Sequence, residues 1–139
     1  MNKAKEILLS GEFTCVLCGG DDIITSTLRG VKPLVQLLES RRCLEGYSAA
    51  DKVVGRATAF LYLLLGVTSI YAHVISRPAL ELLQCRGVAV EYETLTDNII
   101  NRQGNGICPF EAATLHVSDE QEAYTAIRNK MKEMNIELK

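Results

Sequence analysis

Residues 51–56 (DKVVGR) place a carboxylate and two cations around a glycine. We predict that they form the first turn of a helix, with Lys52 and Arg56, four residues apart, on one face. Two cations beside the free N–H groups of a helix N-terminus suit an anion such as phosphate or a carboxylate. Gly55 would cost up to about 1 kcal/mol inside a helix, so we expect it to leave room for a ligand or a neighbouring backbone. The alternative is structural, with Asp51 as a helix cap and the cations solvated.

Residues 108–111 (CPFE) form the second candidate stretch, and proline favours the first turn of a short helix there. A helix N-terminus stabilises a thiolate, and the polar, glycine-containing loop 96–106 would leave Cys108 accessible. Cys108 is therefore the predicted nucleophile, with Asp51 or Glu111 transferring protons. The alternatives are that Cys108 is an inert buried thiol and that Glu111 only caps the turn.

The remaining cysteines and histidines do not predict a metal site. Cys15 and Cys18, followed by two glycines, look like half of a zinc knuckle. However, residues three apart on a strand point to opposite faces, and no second pair completes the motif. His73 is predicted to be a hydrogen-bonded core residue of a buried strand. We therefore predict neither a metal nor another cofactor.

Length and composition limit the class of protein. The chain has 139 residues, of which 47% are hydrophobic and 23% charged, and this predicts a single globular domain over residues 1–139. A net charge of −2 provides no electrostatic footprint for a nucleic acid polymer, although a small nucleotide remains compatible with it. The start of the chain lacks the apolar core of a signal peptide, and the five cysteines are an odd number. We therefore expect free thiols and a cytoplasmic location.

The uncharged run 57–76 is about long enough to span a bilayer. Its first half is rich in Ala and Leu, whereas the residues after Gly66 are mainly β-branched or aromatic. This change of pattern favours a buried helix followed by a buried strand. We therefore predict no membrane partner.

The elements that must position the candidate side chains follow from the same kind of pattern. Helices are predicted over 2–10, 33–40, 48–65 and 77–84, from Cys108 and from Ser118, and strands over 13–18, 22–26, 67–75 and 88–92. Because the later strands alternate with helices, we predict an α/β fold with parallel pairs and helices on both faces of the sheet. Ligands of such sheets bind where strand ends meet helix N-termini, here near Asp51, Arg77 and Cys108.

The stretches 51–57 and 108–111 together resemble an uncharacterised bacterial family of the cytidine deaminase-like superfamily, over roughly residues 12–135. The resemblance implies a three-layer α/β/α sandwich with a mixed sheet. Working deaminases of that superfamily carry a His or Cys with a Glu at the central helix and Pro-Cys-x-x-Cys at the next, around a zinc-bound water. Residues 51–53 (DKV) and 76–80 (SRPAL) supply neither set. The fold is therefore implied without zinc or deamination.

We accordingly predict a zinc-free relative of the deaminases that binds a small anionic or nucleotide-like molecule. Lys52, Gly55, Arg56 and Arg77 are the predicted binding residues. If the protein is an enzyme, we expect hydrolase-type chemistry with the thiol of Cys108. The alternatives are a non-catalytic sensor or binding module, and a divergent nucleoside or base deaminase with displaced zinc ligands. Superfamily members often associate through helices, which makes a homo-oligomer possible by analogy.

Overall fold

The computed structural model describes residues 2–28, 31–99 and 106–137. The strands within these ranges are β1 (Cys15–Gly19), β2 (Asp22–Ser26), β3 (Ser48–Val54), β4 (Ser69–Ser76) and β5 (Ala89–Thr96). The helices are α1 (Asn2–Leu9), α2 (Lys32–Glu39), α3 (Arg56–Leu65), α4 (Arg77–Cys85), α5 (Pro109–Thr114) and α6 (Glu120–Glu133). The predicted α/β class is confirmed.

The five strands form one mixed sheet in the order β2-β1-β3-β4-β5. β1 is antiparallel to both β2 and β3, whereas β3, β4 and β5 are parallel to one another. The carboxyl ends of the three parallel strands therefore lie at the same end of the sheet, and α3 and α4 begin directly after β3 and β4. Asp51 is in the centre of this sheet, beside Cys15 on β1 and Ala72 on β4.

Helices cover both faces of the sheet, as predicted. On one face, Ala4 and Leu8 of α1 pack with Val16, Ala50 and Tyr71. On the other face, α2, α3, α4 and α6 contribute buried side chains to the larger core. Burial of this apolar surface is the main force that holds the layers together.

The prediction of a helix from Ser48 is wrong, because residues 48–54 form the strand β3. Ala49 and Ala50 favour helices in isolation, but here they are fully buried between β1 and β4. Hydrogen bonds to two neighbouring strands override the weak local propensity. Asp51 is therefore not a helix cap, and Lys52 and Arg56 do not share a helix face. The helix begins only after Gly55, which has an extended backbone with φ −98° and ψ 179°.

The remainder of the buried helix and strand was predicted correctly. α3 ends at Leu65, and Gly66 follows with φ 92°, a left-handed conformation that favours glycine at a helix C-terminus. β4 then starts at Ser69, close to the predicted position. None of the described helices is both long enough and apolar enough to cross a membrane.

Three smaller predictions have mixed outcomes. The side chain of Ser76 caps α4 as predicted by accepting a hydrogen bond from the Ala79 N–H at 3.2 Å. His73, predicted to be in the core, is exposed on β4. The polar loop was predicted to begin at Thr96, where β5 instead ends, and residues 100–105 of that loop lie outside the described residues.

Candidate functional site

A cleft with a volume of about 870 Å³ lies where the end of β3 meets the starts of α2, α3 and α5. Its ionisable lining residues are Cys15, Lys32, Asp51, Lys52, Cys108 and Glu111. Most of the other lining residues are apolar, among them Val31, Phe110 and Ile136. An apolar wall with a few polar groups is typical of a small-molecule site.

Asp51 is the most perturbed carboxyl group of the cleft. Its Oδ2 accepts a hydrogen bond of 2.7 Å from the hydroxyl of Tyr62, and its Oδ1 accepts one of 3.3 Å from the N–H of Val53. Burial raises the pKa of Asp51 to about 7, because these hydrogen bonds only partly offset the loss of hydration. The carboxyl group is therefore able to gain or lose a proton near neutral pH.

The hydrogen bonding continues from Asp51 to Tyr62 and then to Cys15, which also lines the cleft. The Tyr62 hydroxyl lies 3.1 Å from Sγ of Cys15, and both side chains are buried. Burial raises the pKa of both groups, so each stays protonated at neutral pH. Cys18, on the same strand, packs on the opposite face of the sheet, as its spacing from Cys15 predicted.

Lys52 and Lys32 are the cations that line the cleft. Lys52 is exposed on β3, whereas Lys32 is half-buried at the start of α2, on the same side of the sheet as Asp51. Within the described ranges, no carboxylate forms an ion pair with either lysine. Neither charge is therefore neutralised by a carboxylate of the described residues.

Cys108 lies at the start of α5 and lines the cleft, half-buried, as a free thiol. Its backbone is fixed on both sides: its N–H donates to the carbonyl of Ile99 at 2.8 Å, and its carbonyl accepts from the Ala112 N–H at 3.0 Å. The prediction of a short helix beginning after Cys108 is confirmed. The structure thus brings Cys108 and Asp51 to one cavity.

Glu111 caps α3 rather than its own helix. Its two carboxylate oxygens accept hydrogen bonds from the Arg56 N–H at 2.8 and 3.1 Å, and the side chain of Ser76 bonds to it as well. Burial raises the pKa of Glu111, while the bonds to Arg56 oppose that rise. A carboxylate at this position also interacts favourably with the positive end of the helix dipole.

Gly55 leaves room for this carboxylate. A Cβ atom at position 55 would overlap Oε2 of Glu111 and would approach Cγ1 of Ile99 to 3.1 Å. The expectation that Gly55 permits a close approach therefore holds, but the neighbour is a side chain of α5. The helix interior assumed for Gly55 was wrong, because this residue precedes α3.

The two arginines predicted to bind the ligand are not among the lining residues of the cleft. Nε of Arg56 donates to the Thr114 carbonyl at 2.9 Å, and Nη2 donates to the Val117 carbonyl. Arg77 is exposed and forms an ion pair with Asp97, with 3.4 Å between Nε and Oδ1. Arg56 lies outside the cleft because α3 starts at this residue and not at Ser48, which turns its side chain toward the end of α5.

Sequence analysis missed Lys32, Tyr62 and Cys15 as parts of the site. Tyr62 reaches Asp51 because α3 packs against the sheet, and Cys15 reaches it because β1 pairs with β3. These are contacts between distant segments. A correct assignment of β3 would have been the signal, since paired strands bring residues side by side.

The residues at the two helix starts do not fit the zinc site of a working deaminase. α3 begins with Arg56-Ala57-Thr58 and α4 begins with Arg77-Pro78, and none of these side chains is a zinc ligand. Across the part of the chain that the structure describes, no group of three or more His, Cys, Asp or Glu residues is placed to hold a metal ion.

The family model TM1506, described as a domain of unknown function (DUF1893), matches residues 3–131. This chain belongs to the DUF1893 family. Its fold is similar to the crystal structure of a DUF1893 family protein (TM1506) from Thermotoga maritima at 2.70 Å resolution, with a TM-score of 0.85 and 31% identity. The alignment covers 93% of this chain and 88% of that chain. Comparison with curated proteins gives no match.

The DUF1893 match contains all the ionisable residues of the cleft. In this DUF1893 domain, the cleft combines a carboxyl group that titrates near neutral pH, two lysines without a carboxylate partner in the described ranges, and a thiol. Such a set is able to bind an anion, exchange a proton and form a covalent bond through sulfur.

Proposed function

We propose that this DUF1893 domain binds a small anionic or nucleotide-like molecule in the cleft. The observation that carries the proposal is the position of Lys32, half-buried at the cavity and without a carboxylate partner among the described residues. Lys52 adds a second, more exposed charge at the same cavity. An apolar wall lowers the local dielectric constant, which strengthens attraction between a lysine and a phosphate or carboxylate.

We further propose that the domain is a zinc-free member of the cytidine deaminase-like superfamily. The support is a mixed five-stranded sheet, helices on both faces and two strand-to-helix junctions at one end. The side chains at those junctions argue against a zinc-dependent reaction, since Glu111 occupies the space beside the start of α3. Purified protein is expected to contain less than stoichiometric zinc by elemental analysis.

Ligand binding is tested with nucleoside monophosphates and the corresponding uncharged nucleosides, by calorimetry at low salt. We expect at least one monophosphate to bind more tightly than its nucleoside. Lys32→Ala should weaken the binding of that monophosphate by about tenfold or more. Lys52→Ala should weaken it by less, because an exposed charge is screened. The matched control is Arg77→Ala, which removes a cation outside the cleft and should leave the affinity unchanged. If no monophosphate binds, or if Lys32→Ala and Arg77→Ala behave alike, the proposal is wrong.

Thiol chemistry is a separate part of the proposal and assigns the nucleophile to Cys108. The test is the rate of alkylation by iodoacetamide against pH, in a Cys43→Ser/Cys85→Ser background that removes both exposed thiols. An alkylation midpoint well below about 8.5 would support a reactive thiolate. A midpoint near that ordinary value, together with unchanged ligand affinity in Cys108→Ala, would favour a non-catalytic binding module instead.

A further inference from the structure

Asp51 presents to the cleft a carboxyl group that has no cationic partner among the described residues. Its side-chain hydrogen bonds in the described residues come from neutral donors, the Tyr62 hydroxyl and the backbone N–H groups of Val53 and Lys52. No Lys, Arg or His of the described ranges forms an ion pair with it. An ionised carboxylate has roughly four acceptor positions, so capacity remains for a donor inside the cavity.

The hydrogen bonds behind Asp51 all point toward it. The single hydroxyl proton of Tyr62 is donated to Oδ2 of Asp51, so Cys15 must supply the proton of its 3.1 Å contact with Tyr62. Cys15 and Tyr62 are both buried and keep their protons at neutral pH. The series therefore runs from thiol to phenol to carboxylate, and each donor favours the charged form of Asp51.

The charged groups around the cleft do not neutralise Asp51. Lys52 follows it on β3, and successive side chains of a strand point to opposite faces. Lys32 and Cys108 line the same cavity, and within the described ranges neither forms a hydrogen bond or an ion pair with the carboxylate. Glu111 is engaged with the Arg56 N–H. A cation that arrives with the ligand would therefore gain a partner that the protein itself leaves open.

We infer that the ligand of this cleft is amphoteric: it carries an anionic group for Lys32 and a cationic N–H donor, of the ammonium or amidinium type, that pairs with Asp51. This inference rests on the proposed anion-binding function and adds the second half of the ligand. Lys32 on α2 and Asp51 on β3 line the same cavity, so one molecule that carries both groups is able to contact both residues.

Protonation of Asp51 provides an independent sign of such pairing. With the cleft empty, burial keeps the pKa of Asp51 at about 7. A bound cation would favour the carboxylate and lower that pKa, so binding at about pH 7 should release a fraction of a proton. Calorimetry in two buffers of different ionisation enthalpy measures this proton release directly.

The test uses aminoalkyl phosphates with two to five carbons between amine and phosphate, each compared with the alkyl phosphate of the same length. At about pH 8, we expect the best aminoalkyl phosphate to bind about tenfold or more tightly than its alkyl counterpart. The gain should be lost in Asp51→Asn and should shrink at about pH 6. Lys32→Ala should weaken the binding of both the alkyl and the aminoalkyl phosphates.

A second variant keeps the inference testable if Asp51→Asn fails to fold. Tyr62→Phe removes one donor to the carboxylate and keeps Asp51, so the pKa of Asp51 should rise and the amine-dependent gain should move to higher pH. If alkyl and aminoalkyl phosphates bind equally at every length, the amphoteric ligand is ruled out while the anion site stands. If neither series binds, the anion site and the inference that rests on it both fail.

Discussion

Arg56 acts as a structural residue because of where its guanidinium group lies. The group donates to the carbonyls of Thr114 and Val117 and lies 5.1 Å from the ring centroid of Phe60. It thereby joins the start of α3 to the end of α5 and the segment that leads to α6. A planar cation with several donors is suited to two carbonyls and a ring at once, which a lysine is not.

We therefore expect Arg56→Lys to lower the free energy of unfolding by about 1–2 kcal/mol, because one ammonium group cannot replace both hydrogen bonds and the ring contact. Urea denaturation measures the change. Arg77→Lys is the matched control, since Arg77 forms only an exposed ion pair, and its effect should stay below about 0.5 kcal/mol. Equal stability of the two variants would contradict the structural role assigned to Arg56.

At the scale of elements, the junction between β3 and α3 depends on α5. Gly55 is the residue before the helix and offers no side chain to cap it, so Glu111 supplies the cap from a distant segment. The same contact holds α5 against the end of the cleft. Helix capping and cleft shape are therefore linked through one carboxylate.

Gly55→Ala tests this link. The φ of −98° is accessible to alanine, so the expected loss of about 2 kcal/mol or more comes from overlap of the new Cβ with Glu111. In a Glu111→Ala background only the 3.1 Å approach to Cγ1 of Ile99 remains, so the same substitution should cost about 1 kcal/mol or less. A double-mutant cycle from urea denaturation gives the coupling free energy between positions 55 and 111. The interpretation is wrong if Gly55→Ala costs the same in both backgrounds.

Sequence analysis placed the elements whose signals are local and missed the one that depends on distant partners. Ser76 before α4 and Gly66 after α3 were correct, since caps and glycine conformations act within a few residues. The helix predicted from Ser48 was wrong because nothing near Ala49 and Ala50 in the sequence reveals that β1 and β4 lie on either side. Asp51 and Cys108 were selected for the site by residue type. The roles of Arg56 and Lys32 could not be predicted, because they depend on how α5 and α2 pack against the rest of the structure.

At the scale of the whole molecule, the raised pKa of Asp51 affects global stability. Its folded-state pKa of about 7 exceeds the ordinary value of 3.8, so the folded protein binds more protons than the unfolded chain between these values. Stability therefore falls as pH rises through this window and levels off above it. The burial of Asp51 thus weakens the protein at neutral and alkaline pH.

Asp51→Asn should remove this contribution. Without added ligand, we expect the variant to exceed the wild type in free energy of unfolding by roughly 2–4 kcal/mol at about pH 8. The difference should shrink to about 0.5 kcal/mol near pH 4, where the aspartate is protonated in the folded wild type and only partly ionised in the unfolded chain. Urea denaturation across this range compares the two proteins, and other groups that titrate cancel in the difference. A difference that does not vary with pH would contradict the assignment.

Among the described helices, α1 alone covers the second face of the sheet, and this has a practical consequence for anyone who handles the protein. α1 has only eight residues, too few to persist alone in water, yet it shields Val16, Ala50 and Tyr71. Truncation of the chain past Leu9 would expose an apolar patch across three strands, which favours aggregation during purification. Affinity tags and fusion partners are therefore better joined to the other terminus.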